Sequence, residues 1–533
     1  DVEEVFNTYL YTGTEASTQT ITNNIDLSGE GGLVWAKARD DAINHVLMDT
    51  EQGTGKFLNS NQTYAQQTNS GGMKSFNSNG FTFGDQMGVG WSNDHVYWTF
   101  RKAPKFFDIV KWSGNDADGD RAFSHSLDSV PGMIIIKKIS NDTTYMSWYV
   151  HHRSGPSGKF GKLNATSAWD DDDGDAVYTG IFGETAPSST QFYASTQANQ
   201  AGYQYVAYLF AHNDGDGEFG PDGDADIIKC GSYTGNNSGV EIDLGFEPQW
   251  FMCKKTNGGS DWQIFDTMRG MHFATTTQSV RLSPNTSGAE TSQLIIGPSP
   301  TGVSIPDASD SVNINGGTYI YMAIRRGTKV PESATEVFAI DNQTASSAPF
   351  LTSNFPVDMV IRKRTTGGNS EVMSRLTQGK ALFANATSSE QTDSVAQFDF
   401  NDGCLDDTST DALRYGWMWK RAPGYFDAVA FSGDGTAGRT VSHNLGVAPE
   451  MMWVKRRDNT DIWVVYNETI GNTGFLRLND TNAVTTATVA WNDTSPTATD
   501  FTLGTYAAVN TSSSTYIAYL FASLPGISKV GSY

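Results

Sequence analysis

Basic side chains are scarce in this chain. Lys and Arg number 36 against 59 Asp and Glu, a net charge of −23, and no stretch gathers them into a cluster. That argues against nucleic-acid binding and against docking on an anionic membrane, both of which need a basic footprint. Cysteine is scarcer still: Cys230, Cys253 and Cys404 in 533 residues cannot form a disulfide framework and read as buried free thiols. No apolar run approaches the length of a membrane span, no signal peptide is visible, and no helical periodicity lasts ten residues. No Cys or His spacing resembles a zinc site. Only 38% of residues are hydrophobic, so each core must be thin, and aromatics at 12% compensate because a buried ring removes much apolar surface.

What is present is a short apolar strand ending in a base, five times over: LVWAK at Lys37, MIIIK at Lys137, WFMCK at Lys254, DMVIR at Arg362 and MMWVK at Lys455. Four copies carry a proline six positions earlier, at Pro131, Pro248, Pro356 and Pro449. Proline fits the first residue of a strand but not its interior, so it marks a common strand start. The regular spacing of about a hundred residues suits a small domain rather than a solenoid repeat.

Around each copy run seven or eight short strands separated by turn residues, which predicts an all-β fold, a tandem array of about five β-sandwich or jelly-roll units. The first and last strands of each unit are rich in aromatics and are expected to pair, closing the sheet. The reading is repeat one at 1–103, two at 104–212, an acidic linker at 213–225, repeat three at 226–327, a linker at 328–334, repeat four at 335–423, repeat five at 424–523 and the start of a sixth at 524–533. A longer period lies above this one. YWTFRKAPKFFDIVKWSG (97–114) matches YGWMWKRAPGYFDAVAFSG (415–433), and IIKCGSY (227–233) matches ISKVGSY (527–533), giving the types A-B-C-A-B with C beginning again. The short A–B junctions should be stiff and the long acidic one a hinge. A chain that opens at Asp1 without methionine and stops inside a repeat is expected to be a piece of something longer.

Candidate sites are few. Asp214, Asp216, Glu218, Asp222, Asp224 and Asp226 bring together hard oxygens of the kind Ca²⁺ prefers, although Phe219 and Ala225 break the EF-hand pattern; a solvated linker is the competing reading. Asp170 to Asp173 with Asp175 read as a charged surface turn, and Asp116, Asp118 and Asp120 form a third candidate, most of which is missing from FSGDGTAGRT (431–440) of unit five. His125 and His443 recur in SHxL contexts and suggest a structural hydrogen bond at a strand end. Trp148, Trp262 and Trp463 occupy matching strand positions and read as core, with unit four lacking a Trp there. Trp91, Trp169 and Trp491 lie in polar loops and are the candidates for stacking on glycans. No carboxylate pair keeps its place from unit to unit, so no catalytic residue is assigned and the chain does not read as an enzyme. The Asn-x-Ser/Thr triplets, such as those at Asn164 and Asn385, are what this composition yields by chance.

The ordered run FFDIVKWSG, SHSL, PGMIIIKK, SWYVHHRS, KLNAT, YVAYLFAHNDGDGEFG, IIKCGSYTGN, GFEPQW, DTMRG resembles a repeat family of concanavalin A-like or laminin-G-like β-sandwiches in virion proteins of marine tailed bacteriophages. The resemblance covers essentially the whole chain. It implies a structural, adhesive virion protein in a tail fibre or other appendage, extracellular, partnered by other virion proteins or copies of itself and by host-surface polysaccharide. It transfers no catalytic site and no certain cofactor. The alternative is a secreted microbial adhesin or filament subunit, and behind it a polysaccharide-degrading enzyme.

Overall fold

The structure is a computed structural model that describes residues 1–85, 91–140, 146–170, 177–273, 278–405, 407 and 410–532. Among these residues, α-helix is confined to two short turns, Tyr178–Phe182 and Ala507–Asn510, and the rest of the regular structure is almost entirely antiparallel strand. The fold is all-β.

Each of the five stretches builds its larger sheet in the same order: first strand, last strand, organising strand, following strand. In unit one these are Phe6–Thr12, Asp94–Arg101, Gly32–Ala38 and Val46–Asp49; in unit five, Phe426–Ser432, Thr515–Phe521, Met451–Arg456 and Trp463–Asn467. First and last strands pair residue for residue, Phe6 opposite Phe100 and Phe426 opposite Phe521. A smaller sheet covers one face, for example Gln19–Thr22, Gly80–Phe83 and Met73–Asn77 in unit one.

The organising strands of units one and two are buried on both faces. Gly32–Ala38 and Met133–Lys138 are buried at every residue, which is why they read as unbroken apolar runs rather than as an alternation. In unit one the inner face (Val34, Ala36, Tyr97) packs on the small sheet with Phe81 and Phe83. The outer face (Leu33, Trp35, Trp98, Phe100) joins a core that runs on through Phe107 and Phe210 of unit two into Trp250 and Ile324 of unit three. Phe100 touches rings of both neighbours, with centroids 5.6 Å from Phe107 and Phe210 and 6.2 Å from Trp250. The units share cores, and their outer faces stay dry only in company.

Two expectations are corrected. Backbone register places Lys363, not Arg362, at the position of Lys37: Lys363 lies opposite Tyr415 and Ser370 as Lys37 lies opposite Val96. In the Arg-Lys pair the second base ends the motif, and Ser370 takes the place held by Trp in other units. The acidic segment is also no free hinge. Asn213 accepts from the Ile227 and Ile228 amides and donates to Lys105 O, while Phe219 packs against Phe106.

Candidate functional site

The residues that recur with fixed geometry lie between the units. In each unit an asparagine side chain accepts the backbone N–H that opens the strand after the organising one: Asn61 from His45 (3.2 Å), Asn164 from Trp148, Asn285 from Trp262, Asn385 from Ser370 and Asn479 from Trp463 (2.9 Å each). This fixes a loop whose backbone carbonyls face the next unit. Two residues before the asparagine, a carbonyl receives the neighbour's ring N–H. Trp148 Nε1 donates to Asn59 O at 3.0 Å, Trp262 Nε1 to Lys162 O at 2.9 Å and Trp463 Nε1 to Phe383 O at 2.9 Å. Two residues after it, another carbonyl receives the organising lysine: Lys137 Nζ reaches Thr63 O at 2.6 Å, Lys254 Nζ Thr166 O at 3.0 Å and Lys455 Nζ Thr387 O at 3.4 Å. The ammonium thus sits among carbonyls with its stem in the core. Burial pushes Lys137 down to about 7 and Lys37, Lys254 and Lys455 down to about 8.

Unit one closes the circle. His45 stands where units two, three and five carry Trp, and its Nε2 lies 3.1 Å from Ser283 O of unit three. A second set of bonds runs the same way round. The Tyr208 hydroxyl of unit two donates to Asp49 of unit one (2.6 Å), His152 of unit two meets Tyr321 O of unit three (3.0 Å), and Trp98 Nε1 of unit one donates to Asp266 of unit three (3.0 Å). A-B-C is therefore a closed triangle. The expected tandem β-rich units are present, and they pack on one another in this triangle because each outer sheet face is too apolar to be left wet.

The second A–B pair is joined to this triangle by a buried charge cluster. Arg421 grips both oxygens of Glu247 (2.7 and 3.0 Å) and lies 3.3 Å from Asp358; Arg326 meets Asp427 at 2.6 Å; Arg375 lies 3.5 Å from Asp358. Burial raises Glu247, and Arg421 and Arg326 oppose it. Burial would raise Asp358 too, but Arg421 and Arg375 outweigh it and hold it low.

Along the seam between the halves lie two adjoining clefts of about 480 Å³ each, sharing Arg39, Gln397 and Asp399. Arg39 bridges Glu290 at 2.8 Å and Asp399 at 3.1 Å. One cleft adds Tyr11, Asp94, Phe400 and Asp402, a ring-and-carboxylate lining of the kind that engages sugar hydroxyls.

A family profile for a domain of unknown function, DUF7483, matches residues 1–326 and again 335–533. The chain belongs to the DUF7483 family. The first match spans one whole A-B-C triangle, and the second spans the second A and B with the opening of C. No curated protein matches the chain.

The DUF7483 structure corrects two of the three expected glycan-stacking residues. Trp169 is 5% exposed and Trp491 1%. The Trp169 ring lies against Gly161, where a Cβ would come within 2.3 Å of it, and donates to Lys159 O; its own backbone N–H bonds Thr256 O of unit three. Trp491 donates to Gly474 O and sits edge-on to Tyr466. Polar neighbours in sequence did not keep either ring in water, because each found a carbonyl for its N–H and a core for its face. Trp91 is 44% exposed.

The six carboxylates proposed for calcium do not converge. Asp226 accepts the Gly215 and Gly217 amides, Asp216 the Asp214 amide and the Lys105 ammonium, and Asp214 lies 3.7 Å from Lys229, while Glu218, Asp222 and Asp224 are exposed. Among the described residues no three His, Cys, Asp or Glu side chains are grouped to hold a metal ion. Asp216 and Asp226 are taken up by the loop's own amides and the other carboxylates do not converge, so a chelator is expected to leave the melting temperature unchanged; a fall of several degrees would restore the metal reading. Asp120 likewise caps the Glu184 and Thr185 amides, and residues 171–175 of the other acidic run lie outside the described residues.

The sequence reading missed the asparagines. The triplets attributed to chance contain Asn164 and Asn385, and the available signal was a similar spacing in four units, 16 residues after His45, Trp148 and Trp463 and 15 after Ser370, which unit three breaks with 23 after Trp262. His125 and His443 each accept the amide two residues on, from Leu127 at 3.3 Å and Leu445 at 3.2 Å, the strand-end bond their recurrence suggested.

Histidine gives the chain a pH dependence. Burial lowers His45, His125, His272 and His443, and brings His151 and His212 to about 4 and His152 to about 3. The folded values lie below the unfolded value of about 6.5, so the unfolded chain takes up protons the fold refuses. Stability is complete above pH ~6.5 and falls as pH drops toward 4. Denaturant midpoints measured from pH 7.5 to 4.5 should decline steadily; a flat profile would mean that these rings are hydrated.

Proposed function

We propose that this protein is a structural and adhesive component of a tailed-phage appendage, a tail fibre or its equivalent, set outside the cell and built to hold binding surfaces at fixed spacing. The observation that carries the reading is the repeated clamp. The same ring-to-carbonyl and ammonium-to-carbonyl bonds recur from A to B in both cycles, so neighbouring units hold one mutual geometry. An array that bears tension and binds weakly at each site needs that property, since avidity multiplies only if the sites engage together. Trp91 and the acidic cleft at Tyr11, Asp94 and Asp402 are the surfaces offered to host polysaccharide, and the partners along the fibre are other virion proteins or copies of this chain.

The test has two arms. Antibody against the chain should decorate appendages of purified particles in negative stain; decoration of cell-borne filaments instead would favour the secreted adhesin. On arrays of bacterial surface glycans the intact protein should bind, and Trp91→Ala with Asp402→Ala should lower the signal about tenfold, one good contact being worth ~1.4 kcal/mol. No binding by the intact protein would remove the adhesive half and leave an architectural role.

A further inference from the structure

The second A–B pair repeats the first in register, but its outer face is bare. Phe338 lies opposite Trp419 as Phe6 lies opposite Phe100, and Ile340 opposite Trp417 as Thr8 lies opposite Trp98. In the first cycle these positions are sealed: Thr8 is 4% exposed, and Trp98 and Phe100 not at all. In the second, Ile340 is 57% and Tyr415 36% exposed, with Phe338, Trp417, Trp419 and Trp453 half-buried. What seals the first face is the C unit. Its Trp250 touches Phe6 and Phe100 (6.4 and 6.2 Å), its Asp266 takes the Trp98 indole N–H, and its Arg269 guanidinium lies 5.3 Å over the Trp98 ring. Among the described residues nothing accepts the Trp417 indole N–H.

We propose that this face is the docking surface for a C-type unit of the same family, a β-sandwich that presents an aromatic ring to Phe338 and Trp419 and an acid–guanidinium pair to Trp417. Three observations fix the occupant. The A–B arrangement beneath the face is repeated down to its bonds, Trp463 on Phe383 O and Lys455 on Thr387 O. The second family match opens on A and runs through B in the same order as the first. ISKVGSY (527–533) repeats the IIKCGSY (227–233) that begins the first C, and Ile527 already leans on the apolar cluster at the A–B contact, as Ile227 is wholly buried in the first cycle. A large exposed apolar face rimmed by charge is an association surface rather than a resting state. This inference does not depend on the appendage reading.

The native cysteines are all buried, so a single introduced thiol reports on the face. Ile340→Cys in the full chain should react rapidly with a thiol reagent. In a second protein carrying the same substitution, residues 234–326 are appended after Tyr533, so that ISKVGSY leads into the rest of a C unit. The introduced thiol should then be protected by roughly 100-fold, the scale of a local opening of ~3 kcal/mol. An extended chain whose introduced thiol stays fully reactive, whether the added segment folds or not, overturns the proposal. So does protection of that thiol in the unextended chain accompanied by a dimer mass in light scattering, which would assign the face to a second copy.

Discussion

Replacing Arg421 with alanine is expected to cost about 3–5 kcal/mol and to release the second A–B pair from the first triangle. Arg421 is 8% exposed and gives its guanidinium to Glu247, which is 2% exposed. Once it is removed, Glu247 keeps, among the described residues, only Arg326 at 3.6 Å, and a carboxylate taken out of water with one distant partner is the costly case. The cluster pairs Arg326, Arg375 and Arg421 with Glu247, Asp358 and Asp427, so the variant also unbalances a neutral group. A double variant, Arg421→Met with Glu247→Leu, should regain most of the loss, because removing both partners strands neither. Unfolding by urea, followed by fluorescence, should show the single variant melting its second half first. A change below about 1 kcal/mol would mean that the joint is hydrated and behaves as a surface pair.

The second large effect concerns the clamp. Trp463 is wholly buried, stacks on Tyr519 at 6.4 Å and donates to Phe383 O. Trp463→Ala should cost about 3–5 kcal/mol through lost burial and the cavity left behind. Trp463→Phe separates the contributions: it keeps most of the apolar surface but leaves Phe383 O without its donor, and should cost about 1–3 kcal/mol. If the two variants were equally damaging, the hydrogen bond rather than the ring would hold unit five to unit four. If phenylalanine were neutral, the carbonyl would have found water and the clamp would be packing alone.

The neutral histidines extend the same account. His152 is buried at a contact between units, so acid acts on the contacts as well as on the individual sandwiches. Weakening by pH should therefore lower cooperativity between units before the sheets themselves melt.

Much of the fold was legible because it depends on local rules. Proline at the strand start in unit three and two or three residues ahead of it in units two, four and five, the paired aromatic first and last strands and the punctuating turns set one sheet order, and the structure repeats that order five times. Register in unit four was not legible: Arg362 and Lys363 are adjacent bases, and only the pairing partner Ser370 tells which one ends the motif. Trp169 and Trp491 were misplaced for a related reason. Their burial is decided by Gly161 and Thr256 in one case and by Gly474 in the other, contacts that polar neighbours in sequence do not report. The cleft lining of Tyr11, Asp94 and Asp402 joins units one and four and carries no sequence pattern at all.

The amino-acid order by itself determined the β-rich unit, its repetition and its A-B-C period, because strand propensity, turn chemistry and the two-residue alternation act over a few residues. Only the tertiary structure decided that three units close into a triangle, that the second pair leaves one face open and that the carboxylates of the acidic loop do not converge. Those outcomes depend on which apolar faces and which carbonyls meet across long stretches of chain, and such meetings are set by packing in three dimensions rather than by neighbours along the chain.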